Sequence, residues 1–408
     1  MEANQRLTER HVLALGLAVT ATFVAGAAVA ALTALATGGS PWAALHLALA
    51  GGATVAIGVF MPHFAITLAG TRPARSGERL ASVALLSVGA VMAVLGVSLV
   101  NGGWAAAGAG LVVAGLVGVA WHTAAPLREP LARRHPVVAV AYGTALIELA
   151  AGVVLGGLGA TGVPAITAHW ALLRPTHAWL TLFGAVSLTI LATLVYLAPT
   201  VLGARIRAGT ALVAAVTGMA LGPLLTAAGF AVDSRLAVLG GAALTAVGAF
   251  GQIRYVLDSW SRRGPFTSEH DWRSVAVGHL VAGPFWFAAA VTVALVELIL
   301  NRSLAGWSIG PLGIPLVTGW MLQELVGSWT HLVPSVTPGD PATHARQRRH
   351  LAVAPRLRLV TWNAAVALAW IGLTLELQPV AAVGLGLLAV SVAVALAALA
   401  RALTAARY

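Results

Sequence analysis

The chain has 408 residues, of which 59% are hydrophobic and 9% charged, with a formal net charge of +11. So apolar and sparsely charged a sequence excludes a soluble globular domain of this length, and it reads as an all-α integral membrane protein. The absence of cysteine excludes disulfides, thiolate metal sites and a covalently attached c-type haem. No phosphate-binding glycine loop, nucleophile elbow or zinc-protease helix occurs, so the chemistry of soluble enzymes is not expected.

The first apolar run, 11–37, is longer than a signal-peptide core and lacks a clear small-residue cleavage site, which predicts a retained helix. Further runs follow at 42–69, 80–101, 103–124, 136–160, 172–203, 208–231, 235–257, 274–300, 309–335, 358–377 and 379–402. Each is long enough to cross a hydrocarbon layer of ~30 Å, which takes about 20 helical residues. The spacing therefore predicts about twelve transmembrane helices in a single membrane domain, 1–408. The longest turns, 258–273 and 337–356, are basic with Pro and Gly and read as loops.

All the cationic side chains are arginine. With the N-terminus inside, the tails and even-numbered turns hold every arginine except Arg174, Arg235 and Arg302. The positive-inside rule then predicts cytoplasmic N- and C-termini, and the positive charge is explained by topology and anionic lipid, with no nucleic acid required.

Three stretches say nearly the same thing. His46 to Gly70, His177 to Gly203 and Gly313 to Gly339 fall on the second, sixth and tenth segments, dividing the chain into pseudo-repeats of four helices at 1–134, 135–270 and 271–408. Such a period implies a pseudo-threefold bundle rich in the small residues that let membrane helices approach closely.

Intramembrane histidines and carboxylates are costly enough to need a reason. His46 and His177 lie near the outer ends of their helices, at matching depth; two such imidazoles suit a haem iron or a copper ion, and a structural hydrogen bond to a neighbouring helix is the competing reading. Trp170, Arg174 and Trp179 are candidates to cover a haem edge. His63, Tyr196 and His331 form an inner layer, with His122 and His279 at similar depth, and offer a second haem or metal site or simple interfacial residues. At 1.5 Å per residue His46 and His63 are roughly 25 Å apart and cannot share one metal. Glu148 and Glu324 lie deepest among the acidic groups and are candidates for a proton pathway or for bonding to a ligand histidine, with Tyr196 beside such a pathway. His11, His135, His270, His344 and His350 read as solvated.

Twelve helices in three arcs, with a histidine near the outer start of the second, resemble the membrane core of the haem-copper oxidase superfamily and its relatives, including the NnrS-type haem-copper membrane proteins. The runs from Leu45-His46-Leu47 to His63-Phe64, from Leu182-Phe183-Gly184 to Ala198-Pro199-Thr200 and from Val326-Gly327 to Leu332-Val333-Pro334 look like the membrane region of actinobacterial copper-oxidase or nitrite-reductase-like proteins. In those proteins a cupredoxin domain often follows. The resemblance implies a bacterial cytoplasmic membrane, a haem b or copper cofactor, His46 as the low-spin haem ligand, and His177 on the helix that supplies a copper ligand. The seventh segment lacks the paired histidines that complete the copper site, and the outer part of the tenth lacks a His-x-His pair. A complete oxygen-reducing centre is therefore not expected. No cupredoxin domain lies within these residues, so a cupredoxin or other redox protein is the expected partner, beside membrane lipid. The expectation is a haem- or copper-binding protein of electron transfer, nitrogen-oxide response or metal handling; a cofactor-free transporter or channel, or a structural subunit of a redox complex, are the competing readings.

Overall fold

The computed structural model describes residues 9–73, 75–207, 209–265, 271–301 and 303–405, all helix and connections with no strand among them. Among the described residues, eleven helices are long and apolar enough to cross a membrane: α1 (Glu9–Thr37), α2 (Trp42–Ala69), α3 (Ser76–Ser98), α4 (Gly102–Leu127), α5 (Pro136–Ala160), α6 (Trp170–Leu202), α7 (Thr210–Ala231), α8 (Arg235–Ser261), α9 (Asp271–Leu300), α11 (Pro355–Thr374) and α12 (Gln378–Thr404). The remaining expected segment, α10 (314–336), is a continuous helix whose Gln323, Glu324 and His331 make it less apolar than the others.

The core is built on α2, α6 and α10. In α2 and α6, 72% of the most apolar window is buried, against 28–56% in the other nine spans, which places these two at the centre and the rest further out. Trp320 of α10 reaches α6, donating its indole N–H to Ser187 Oγ at 3.1 Å. Around this centre α3 pairs with α4, α7 with α8, and α11 with α12, each through glycines that bring backbone to backbone. A Cβ on Gly89 would lie 2.7 Å from the Gly108 carbonyl, and one on Gly218 2.6 Å from the Leu244 carbonyl. Membrane helices associate by such contacts because lipid supplies no hydrophobic drive between them.

The three central helices share a local irregularity. Each carries a π segment, at Leu47–Ala53, Trp179–Val186 and Ile314–Met321, and continues as α-helix from Thr54, Ser187 and Leu322. A π turn widens the helix by one residue, and such bulges cluster at functional sites. Two hydroxyls complete the wide turn: Thr54 donates to the Leu49 carbonyl at 3.0 Å and Ser187 to the Leu182 carbonyl at 2.8 Å. Three residues before each boundary stands a glycine, Gly51, Gly184 and Gly319, and each receives a side chain from the preceding helix of the chain: Phe23, Glu148 and Trp286. Two knobs are aromatic and one is a carboxylate.

The arginine-bearing turns gather at one end. There Gly264 donates its N–H to the Leu202 carbonyl, Arg262 reaches the Arg205 carbonyl at 2.9 Å, and Arg346 reaches the Ala405 carbonyl at 3.3 Å. The turn 337–356, expected as loop, holds a helix at Pro341–Leu351. Asp340 caps it, accepting from the Thr343 N–H at 2.7 Å, and Pro341 supplies a first-turn residue that needs no hydrogen bond.

Candidate functional site: two imidazoles at the arginine-poor end

Of the histidines singled out in the sequence, two meet. The rings of His46 and His177 are 5° from parallel with centroids 6.3 Å apart. They are not equivalent by register, since His46 stands eight residues before Thr54 and His177 ten before Ser187. The residue at His46's register in α10 is Ile314, so the third helix contributes no imidazole.

Both rings are oriented by main-chain acceptors. His46 Nδ1 lies 2.9 Å from the Trp42 carbonyl one turn back, and His177 Nδ1 lies 2.8 Å from the Gly152 carbonyl on α5. A carbonyl only accepts, so each Nδ1 carries the proton and each Nε2 keeps its lone pair. That tautomer is the one a histidine ligand presents, its outer nitrogen tied to a carbonyl and its inner one open. Trp42 stacks on His46 with centroids 4.0 Å apart. Gly156, one turn beyond Gly152, lies flush against His177, where a Cβ would approach Cε1 to 2.9 Å and Nδ1 to 3.1 Å. Glu148, Gly152 and Gly156 thus form an i, i+4, i+8 stripe that lets α5 lie close to α6.

The donor set fits a metal. Each ring keeps one nitrogen off its main-chain bond, and imidazole suits iron and copper alike. Two histidines are also the axial pair of a b-type haem. Among the described residues no group of three or more His, Asp or Glu gathers closely enough to hold a metal, so any ion here rests on this pair and on non-protein ligands.

The inner residues behave differently. His63, Tyr196 and His331 do share a register, nine residues after their boundaries. Yet His63 donates from Nδ1 to Glu9 at 3.1 Å, and Glu9 in turn pairs with the buried Arg79. Tyr196 packs edge-on against His135 at 5.6 Å, which takes His135 out of the solvated group. His344 lies 3.3 Å by Nε2 from the Thr337 carbonyl, and His279 sits edge-on against Trp362 at 5.4 Å. His270 lies outside the described residues.

Trp179 does not edge the imidazole pair. It is fully buried in an aromatic cluster with Phe183 and Trp307, which Phe230 also joins. Trp170 covers Gly159, and Arg174 is exposed. Glu148 and Glu324 are 0% and 3% exposed, and none of their carboxylate oxygens has a hydrogen-bond partner. The sequence reading missed Trp42, Gly152 and Gly156 as the residues that orient the histidines; the glycine stripe ending at Gly156 was the available signal. No protein-family profile matches the chain, and no curated protein resembles it significantly.

Proposed function

We propose that this polytopic membrane protein holds one iron or copper centre between His46 and His177 and serves electron transfer, nitrogen-oxide response or metal handling. A b-type haem is the leading form of that centre and a two-histidine copper ion the second. The observation that carries the reading is the parallel pair at 6.3 Å with both Nδ1 protons committed to carbonyls. Each ring is held in one orientation by a main-chain carbonyl, and a hydrogen-bonding role alone would leave each Nε2 without use. When bound, such a centre supplies one-electron chemistry. The protein's own part is to fix the two rings, pack Trp42 and the α5 glycine stripe against them, and keep the third position apolar at Ile314.

The resemblance to oxidase-type membrane cores supports the same reading, with the oxygen-reducing reaction left out because the further histidines it needs are missing from α7 and α10. The second reading, a cofactor-free transporter or channel, is favoured by the buried carboxylate of Glu324 at a central cavity.

The test is an absorption spectrum with metal analysis on protein purified after expression with haem and copper supplied. A Soret band, or about one copper per chain, that is lost in both His46→Ala and His177→Ala supports the reading. Colourless, metal-free wild-type protein sinks it.

A further inference from the structure

Beyond the π segments, α2, α6 and α10 line a cavity of about 70 Å³. Its wall repeats by register. Ala56, Thr189 and Glu324 each stand two residues after their π-to-α boundary, and Phe60, Thr193 and Ser328 each stand six after it. The three helices thus present one level of methyl, hydroxyl and carboxyl, and one turn further a level of phenyl and two hydroxyls.

Glu324 is the one titratable side chain among the residues lining this cavity. It is 3% exposed, and neither its two carboxylate oxygens nor Thr189 Oγ1 has a hydrogen-bond partner. No arginine or histidine forms an ion pair with it among the described residues. An ionised carboxylate so placed would lack any compensation for leaving water, and an ion so buried is neutralised rather than left charged. Thr193 is already engaged, its Oγ1 lying 3.0 Å from the Tyr142 hydroxyl on α5. The acceptors and donors left free are those of Glu324, Thr189 and Ser328; the Glu324 and Thr189 oxygens are themselves fully buried, and the cavity beside them is walled by apolar side chains.

We propose that Glu324 binds an exchangeable proton beside the axis of the three central helices, with Thr189 as the hydroxyl that donates to the ionised carboxylate. The ligand is a proton and not a metal cation: hard cations take about six oxygen ligands, more than these three side chains supply. The site is independent of the imidazole pair and does not rest on any cofactor there. Gly283 of α9 lies against the Glu324 carboxyl, which occupies the space a Cβ there would fill. The titratable groups nearest along the surrounding helices are His279 on α9, one turn from Gly283; His331, two turns along α10; Tyr142 and Glu148 on α5; and His63 on α2. None of these lines the cavity.

The test uses the full chain in detergent and dicyclohexylcarbodiimide, an apolar reagent that adds a protonated carboxyl across its C=N bond, the acid proton moving to nitrogen with no leaving group. Peptide mapping by mass spectrometry should find Glu324 modified, with a rate that falls about tenfold per pH unit above the titration midpoint and is unchanged by excess sodium. Glu324→Gln should lose that adduct, and Thr189→Val should move the midpoint to higher pH by removing a donor to the charged form. Wild-type protein unmodified at Glu324 across the pH range would overturn the proposal. So would sodium protection, which would make the site a cation site, or a midpoint unmoved in a well-folded Thr189→Val variant.

Discussion

At the arginine-poor end, α2 and α6 bring His46 and His177 to parallel rings 6.3 Å apart, although the two are out of register. At the arginine-rich end, His63 and Tyr196 are in register and turn to separate neighbours, Glu9 and His135. Equivalent position along a helix therefore does not bring side chains together. What decides is whether the surroundings supply something that fixes the ring: main-chain carbonyls and a glycine face at one end, an ion pair and an aromatic edge at the other. The first arrangement leaves nitrogen lone pairs open for a ligand, and the second uses the polar groups on one another.

The comparison breaks most decisively on metal content. His46→Ala and His177→Ala are each expected to remove the bound iron or copper, and His63→Ala and His331→Ala to leave it at the wild-type level, as counted by elemental analysis of purified protein. Loss of metal in the inner variants alone would reverse the two ends. A large effect of another kind belongs to the inner end. Glu9→Gln leaves Arg79, 2% exposed, buried without its carboxylate, and should destabilise the fold by about 3 kcal/mol in a denaturation series while metal per folded chain stays unchanged.

A smaller effect sharpens the account of the outer end. Gly156→Ala places a methyl 2.9 Å from His177 Cε1 and should weaken metal binding roughly tenfold, the usual cost of disturbing a group that orients a ligand. Gly143→Ala on the same helix meets nothing within 4 Å and should bind as wild type does in the same titration. The smallest effect lies in the helix 341–351. The Thr343 hydroxyl and N–H hold the Asp340 carboxyl below the usual carboxylate range. Its cap is therefore fully effective above the unfolded value of about 3.9 and is lost as pH falls through the lower folded value. Asp340→Ala at neutral pH should raise hydrogen exchange in the first turn of this helix modestly, and acidification of the wild type should do the same.

The all-α membrane fold was legible because runs near twenty apolar residues admit one solution in lipid, where every backbone group must be bonded within its own helix. The helix 341–351 was legible in principle, since Asp340 and Pro341 are a start signal, but its polar composition in a basic turn masked it. The π segments were not legible. A π turn needs one inserted residue and has no residue type of its own, so the glycines Gly51, Gly184 and Gly319 read only as small-residue packing until their knobs were seen. His46 and His177 were legible as candidates by residue type and depth, whereas Gly152 and Gly156 showed only as part of a small-residue stripe and Thr189 as one more threonine in an apolar helix. Their roles come from the helix each one faces.

The claim that His46 and His177 share one centre is tested most directly by X-ray absorption at the iron or copper edge of the purified protein. The account predicts a first coordination shell containing two imidazoles at about 2 Å, reduced or lost in each of the two alanine variants. A metal shell with no imidazole, or one unchanged when both histidines are replaced, would contradict it.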